Sequence, residues 1–264
     1  MGYKNLTIRG KTDGFGCQFN AKLSGLAFCL TSGHQKWATR YRYIHTPFTT
    51  VSHGWGEPED TARLNEFVGI PDNRHGNKIH VRMRYLKKTF NDPNAFYHNY
   101  SLQKIREYYW STPKPERVSC DIVVHIRRGD VQPHRGGDRA RRHLPNLWYN
   151  KVIPDVAAKY PSHYRIAIYS EGDMSEFESI LNDWPKDLVD RTEFRLSQDS
   201  IAHQKFDLLT TYHHMVTAKV LLMSKSGLSY TAGVLNENDV LFVRSGARGQ
   251  KIPLNHWIRN SWGS

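Results

Sequence analysis

The stretch Ile122-Val123-Val124-His125-Ile126-Arg127-Arg128-Gly129-Asp130 decides how the chain is read. Its β-branched run, closed by a glycine, predicts a buried strand that enters a tight loop. The two arginines that end it keep their charge at any physiological pH, and burying them is costly unless an anion meets them. Side chains alternate along a strand, so Arg127 and Arg128 are expected on opposite sides, one at a ligand and one bracing structure. Arg128, nearer the loop, is the one expected at the ligand. Asp130 would orient an arginine or cap the turn, and His125 lies two positions before Arg127, on the same side.

Around this stretch the pattern is regular. Strands are predicted at 121–126, 165–170, 192–196, 219–223 and 239–243, with helices at 147–159, 175–182, 203–216 and 227–236. Strands alternating with helices of this length predict βαβ units and a parallel sheet, whose ligands gather at the C-terminal ends of the strands. The opening stretch ends at that edge. Between its first strand and first helix lies His134-Arg135-Gly136-Gly137-Asp138-Arg139-Ala140-Arg141-Arg142-His143, a basic, glycine-containing segment suited to a mobile lid.

The first half reads as a smaller unit of the same kind. Tyr3 to Arg9 alternates around Leu6 and Ile8 as a strand, and Gly10 to Gly16 is a three-glycine loop. Phe15, Phe19, Leu23, Leu26, Ala27 and Leu30 then recur at helical spacing. In such a loop the backbone at Gly14 and Gly16 can face a ligand from a helix N-terminus, although the spacing is not that of a dinucleotide fingerprint. Further strands are predicted at Trp37 to His45 and Ile79 to Met83, and helices at Ala62 to Val68 and Ser101 to Trp110. Ser111 to Glu116, with two prolines, is the best linker. It divides the chain into domains 1–115 and 116–264, with about the last 14 residues returning to the first.

Charge narrows the partners. The chain carries 37 Lys+Arg against 25 Asp+Glu, a net +12, which favours anions such as nucleotide phosphates, nucleic acid or an anionic membrane surface. Fourteen tyrosines and seven tryptophans keep a non-catalytic nucleic-acid-binding protein in play, but the basic residues are spread out and no nucleic-acid motif is present. No run approaches the ~20 apolar residues of a membrane span, and no signal core opens the chain, so a soluble, cytoplasmic protein is expected. Cys17, Cys29 and Cys120 lack metal or redox spacing and read as reduced, mostly buried thiols. His213 and His214 are adjacent and would point to different sides of a helix.

Three ordered motifs carry a resemblance. His125-Ile126-Arg127-Arg128-Gly129-Asp130 resembles the H-x-R-R-x-D signature of α1,2-, α1,6- and protein O-fucosyltransferases. Asp13-Gly14-Phe15-Gly16-Cys17-Gln18 is similar to their N-terminal G-x-x-G-N-Q loop, and Met223-Ser224-Lys225-Ser226-Gly227-Leu228-Ser229-Tyr230 to their third motif. Asp207 stands where that family often keeps an acidic residue. Cys17, Lys225 and Gly227 depart from the family pattern.

The resemblance implies a GT-B fold, two Rossmann-like domains facing across a cleft. It also implies inverting, metal-independent transfer from a nucleotide sugar to a glycan hydroxyl. GDP-fucose is the favoured donor and UDP-xylose the alternative; a lectin descended from a transferase is a third possibility. No Asp-x-Asp is present, so arginine and backbone dipoles would take the place of a metal, and no cofactor is expected. Arg128 would meet the β-phosphate and help expel the nucleotide. His125, Arg127, Asp130, Asp207, Ser224, Ser226 and Ser229, with Gly14 and Gly16, would line the donor site. The general base should be a carboxylate or histidine of the N-terminal domain, with Asp72 and Asp13 as candidates and Asp72 preferred. A soluble member of this kind fits a bacterial or viral origin, in the latter case in the host cytoplasm.

Overall fold

The structure, a computed structural model, describes residues 4–8, 14–32, 41–44, 48, 58–71, 78–81, 92–117, 119–131, 133, 137–197, 201–243 and 254–259. The chain forms two compact units, Met1–Lys114 with Lys251–Asn255, and Pro115–Gln250 with His256–Ser264. Both are α/β, each built on a parallel sheet.

In the first unit, β1 (Lys4–Ile8) lies between β2 (Tyr41–Ile44) and β3 (Lys78–Val81). Helix α1 (Phe15–Ser32) follows the first strand and packs against β1 and β2. It is buried on more than its apolar face: Phe15, Phe19, Leu23 and Ala27 are joined by Gln18, Asn20, Lys22 and Ser24. Lys22 and Ser24 find partners inside the unit, whereas the buried Asn20 Oδ1 has none among the described residues. Lys22 Nζ donates to Asn65 Oδ1 at 3.0 Å, and Ser24 Oγ to the Asn20 carbonyl at 2.7 Å.

Helix α2 (Pro58–Val68) starts four residues before its expected apolar run. Proline suits a first helical position, and Glu59 and Asp60 sit well against the positive end of the helix. Helix α3 (Pro93–Phe96) is a single turn, and α4 (Asn99–Trp110) buries Leu102, Ile105 and Tyr109 at spacings of three and four.

The second unit runs β4 (Ile122–His125), α5 (Gly137–Arg142), α6 (Asn146–Ala157), β5 (Ile166–Glu171), α7 (Lys186–Asp190), β6 (Thr192–Ser197), α8 (Ile201–Thr217), β7 (Val220–Leu222), α9 (Gly227–Leu235), β8 (Asp239–Phe242) and β9 (Ile258–Arg259). The strand order is β6-β5-β4-β7-β8-β9, all parallel. The sheet therefore grows from β4 in one direction and then, from β7, in the other, which is the Rossmann order. Continuous apolar burial of Ile122, Val123 and Val124 follows from helices covering both faces of such a sheet.

Several sequence expectations need correction. The helix expected at 175–182 is instead two 3-10 turns, Met174–Glu176 and Glu178–Ile180, followed by the separate α7. Pro185 immediately precedes α7, where its fixed φ starts a new helix more easily than it continues an old one. The basic segment taken for a lid is helical over Gly137–Arg142, while residues 134–136 lie outside the described residues. Gly16 is not in a loop but in the first turn of α1, and residues 9–13 lie outside the described residues. The final residues divide: Lys251–Asn255 belong to the first unit, whereas Ile258–Arg259 pair with Leu241 and Phe242 in the second. Pro154 inside α6 leaves the Asn150 carbonyl without its helical donor, and the Trp184 indole N–H takes it at 2.8 Å. Among the described residues no helix is long and apolar enough to cross a membrane.

Candidate anion-binding site at the C-terminal ends of β4 and β7

Adjacent parallel strands whose following connections leave in opposite directions open a crevice beyond their C-terminal ends. In the second unit those strands are β4 and β7. Past β4 come Arg127 and Arg128; past β7 come Ser224, Lys225 and Ser226, leading into α9.

His125, the last residue of β4, is 6% exposed and reaches across to β7's extension, with Nδ1 2.9 Å from Ser224 Oγ. Burial, helped by the neighbouring Arg127 charge, pushes its imidazole down to about 3, so it is neutral and locks the two strand ends together. Ser229 Oγ donates to the Ser224 carbonyl at 3.3 Å, and Ser226 caps α9 by accepting from the Leu228 N–H at 3.2 Å. His125, Ser224, Ser226 and Ser229 thus form one hydrogen-bonded corner.

The two arginines have different surroundings. Arg127 pairs closely with Asp130, and its NH1 lies 4.0 Å from Glu171 Oε1. Gly129 makes the tight turn between them at φ +69°, and a Cβ there would sit 1.8 Å from Glu171 Oε2. Arg128 is only 7% exposed and, among the described residues, has no carboxylate in hydrogen-bonding contact. Its NH2 donates to Asn146 Oδ1 at 2.6 Å and its NH1 to the Arg127 carbonyl at 3.1 Å. The guanidinium carbon stands 5.8 Å from both the Tyr149 and the Phe177 ring centroids. Asn146 is itself fixed, donating to the Glu176 carbonyl at 2.5 Å and to Ser179 Oγ at 3.0 Å. The nearby Glu176 carboxylate accepts from the Asp173 N–H at 3.1 Å, within a capping box of its own turn. Burial lowers the pKa of Arg128, yet arginine remains charged in any case.

A buried cation held by neutral oxygens and aromatic faces keeps donor capacity for an anion. Two of its five N–H groups are used within the described residues. Asn146, Tyr149 and Phe177 escaped the sequence reading. For the first two a signal existed: Asn146 opens a helix after Pro145, and Tyr149 is one turn on, on the same face. Phe177 lies in the segment whose local structure was misread.

His125, Arg127, Arg128, Asp130, Ser224, Ser226 and Ser229 are therefore brought together in the second unit. Gly14 belongs to the first unit, where its carbonyl accepts from the Cys17 and Gln18 N–H groups at the start of α1. Gly16 is inside that helix. Asp207 is on α8, with its side chain outside the described residues, and Asp13 and Asp72 lie outside them altogether. Among the described residues no group of three His, Cys, Asp or Glu could hold a metal ion.

No protein-family profile matches the chain, and no curated protein sequence matches it. Solved structures that it is similar to include the heptosyltransferase WaaC of E. coli, determined with ADP. That match has 11% identity and a TM-score of 0.39, covering 92% of this chain and 88% of that one. Another is the fucosyltransferase NodZ from Bradyrhizobium, with 10% identity and a TM-score of 0.37, covering 89% of this chain and 94% of that one. Likenesses of this size carry no argument about activity.

Proposed function

We propose that the chain is an inverting, metal-independent glycosyltransferase of GT-B type, moving a sugar from a nucleotide sugar to a glycan hydroxyl. The observation that carries this reading is the buried Arg128, without a contacting carboxylate among the described residues, beside the crevice between β4 and β7. A leaving diphosphate is the kind of anion that such a site stabilises. The motif resemblance favours GDP-fucose as donor.

In the reaction the acceptor oxygen bonds to the anomeric carbon from the face opposite the diphosphate. The bond from that carbon to the phosphate oxygen breaks, and its electron pair leaves with the diphosphate. The hydroxyl proton passes to a general base, for which Asp72 is proposed, with Asp13 as the other candidate. Arg128 gains the most when negative charge builds on the leaving oxygen, so it lowers the barrier and does more than hold the donor.

Thermal-shift titration of the chain with GDP, UDP and their sugars, with and without EDTA, tests this reading. A shift with GDP and GDP-fucose that EDTA leaves unchanged is expected, along with nucleotide release on adding acceptor and its loss in Arg128→Ala. A shift with UDP-xylose alone would replace the donor and keep the class. No shift with any of them, or full transfer by Arg128→Ala, would overturn it.

A further inference from the structure

The motif arginines do not account for all the cations at this crevice. Lys225, on the loop after β7, donates through Nζ to the Arg141 carbonyl at 3.2 Å, tying that strand end to the end of α5. Arg128, after β4, ties the other strand end to Asn146 at the start of α6, at 2.6 Å. The connecting stretch Arg141 to Asn146 is thereby anchored at both ends to the two strands that flank the crevice.

His143 sits in the middle of that stretch, half-buried, with its N–H bonded to the Ala140 carbonyl at 3.0 Å. Partial burial first, then the charges of Arg128 and Lys225, hold its imidazole below the usual value. Charged groups on these elements also include Asp138 and Arg139 of α5, whose side chains lie outside the described residues, Arg141 and Arg142 beside them, Lys151 and Asp155 of α6, and Glu176 near Arg128, engaged with the Asp173 N–H. Among the described residues, Arg128 and Lys225 are the charges that act on His143, and both disfavour its protonated form.

We infer that His143, together with Arg128 and Lys225, binds the diphosphate of the nucleotide, and that it takes up a proton from solvent as that diphosphate binds. The inference rests on the transferase reading above for the ligand's identity. Its physics is local: a diphosphate neutralises Arg128 and Lys225 and adds negative charge, so the field on the imidazole changes sign. Binding then strengthens as pH falls toward and through the histidine's ordinary value, by at most about tenfold per pH unit for one linked proton.

The test is calorimetric titration of the whole chain with GDP and with UDP, at pH 6 to 8, in pairs of buffers with different ionisation enthalpies. The expected result is that the tightening of wild-type binding from pH 8 toward pH 6 is lost in His143→Gln. The proton uptake that distinguishes the two proteins should vanish with it. Comparing the proteins removes the phosphate's own titration. Identical proton uptake in both, with binding intact, would overturn the inference and leave the transferase reading standing. Binding of neither nucleotide by either protein would overturn both. If the variant folds poorly, the His143 imidazole resonance of the wild-type chain decides the matter. Its pKa should rise on adding inorganic pyrophosphate, and an unchanged value would refute the role.

Discussion

Replacing Arg128 by methionine tests the central physical claim from two sides at once. Methionine keeps an unbranched stem between Tyr149 and Phe177 and removes the charge. Arg128 is 7% exposed and has no carboxylate in hydrogen-bonding contact among the described residues, and a buried ion costs several kcal/mol of lost hydration. Against that relief, the variant loses two hydrogen bonds of about 1 kcal/mol each and leaves Asn146 Oδ1 without its donor, at about 1–3 kcal/mol. Sulfur–aromatic contact restores part of the cation–π attraction, about 0.3–1.5 kcal/mol.

The balance falls slightly in favour of the variant, by roughly 1 kcal/mol, or a melting temperature about 2–4 °C higher for a chain of this size. Transfer should fall by about 10²–10³-fold, the usual loss when a donor aimed at developing negative charge is removed. Differential scanning calorimetry and a nucleotide-release assay on the same preparations measure both. A variant that melts several degrees lower and still turns over would show that Arg128 is a satisfied structural cation, and the argument would be wrong.

Two further outcomes follow from the same geometry. Asn146→Asp gives Arg128 a carboxylate partner, so nucleoside diphosphate affinity should drop at least about tenfold, read by calorimetric titration. His125, held down to about 3 by burial, should make folding pH-sensitive in a defined direction. Its folded value lies below its unfolded value near 6.5, so its contribution is complete above about 6.5 and is lost as pH falls toward 3, by up to about 1.4 kcal/mol per pH unit. Urea midpoints measured from pH 7 to 5 should fall less steeply for His125→Asn than for the wild type. Parallel curves would refute the assignment.

What could be read from the sequence depended on how local the cause was. The run Ile122 to Val124 and the parallel sheet follow from side-chain pattern, because a strand covered on both faces is apolar throughout. The strand order that makes β4 and β7 neighbours is non-local, and five strands alternating with helices are compatible with more than one doubly wound order. Phe177 was not legible as a neighbour of Arg128, because it comes from a separate connection and meets Arg128 only in the folded sheet. The same holds for Lys225, whose bond to Arg141 spans 84 positions. Capping and proline chemistry broke residues 174–190 into short pieces, where apolar spacing alone had predicted one helix over 175–182.

The division of labour between the two adjacent arginines leads to a last expectation, and it sets the structure against the motif resemblance. The resemblance implies that Asp130 lines the nucleotide site, whereas its close contact here is Arg127, three residues back across the turn at Gly129. If bracing is its whole role, Asp130→Asn loses one partly exposed ion pair, worth about 1 kcal/mol or less. Among the described residues Arg127 then keeps only Glu171, at 4.0 Å, so it adds positive potential to the crevice. GDP affinity should hold or rise a few-fold and become more salt-dependent, while the melting temperature drops slightly. If Asp130 instead accepts a hydrogen bond from the donor, affinity should fall about tenfold or more, because a donor group loses its charged acceptor. Calorimetric titration at two salt concentrations separates the outcomes, and the second would show that Arg127 and Asp130 part company when the nucleotide binds.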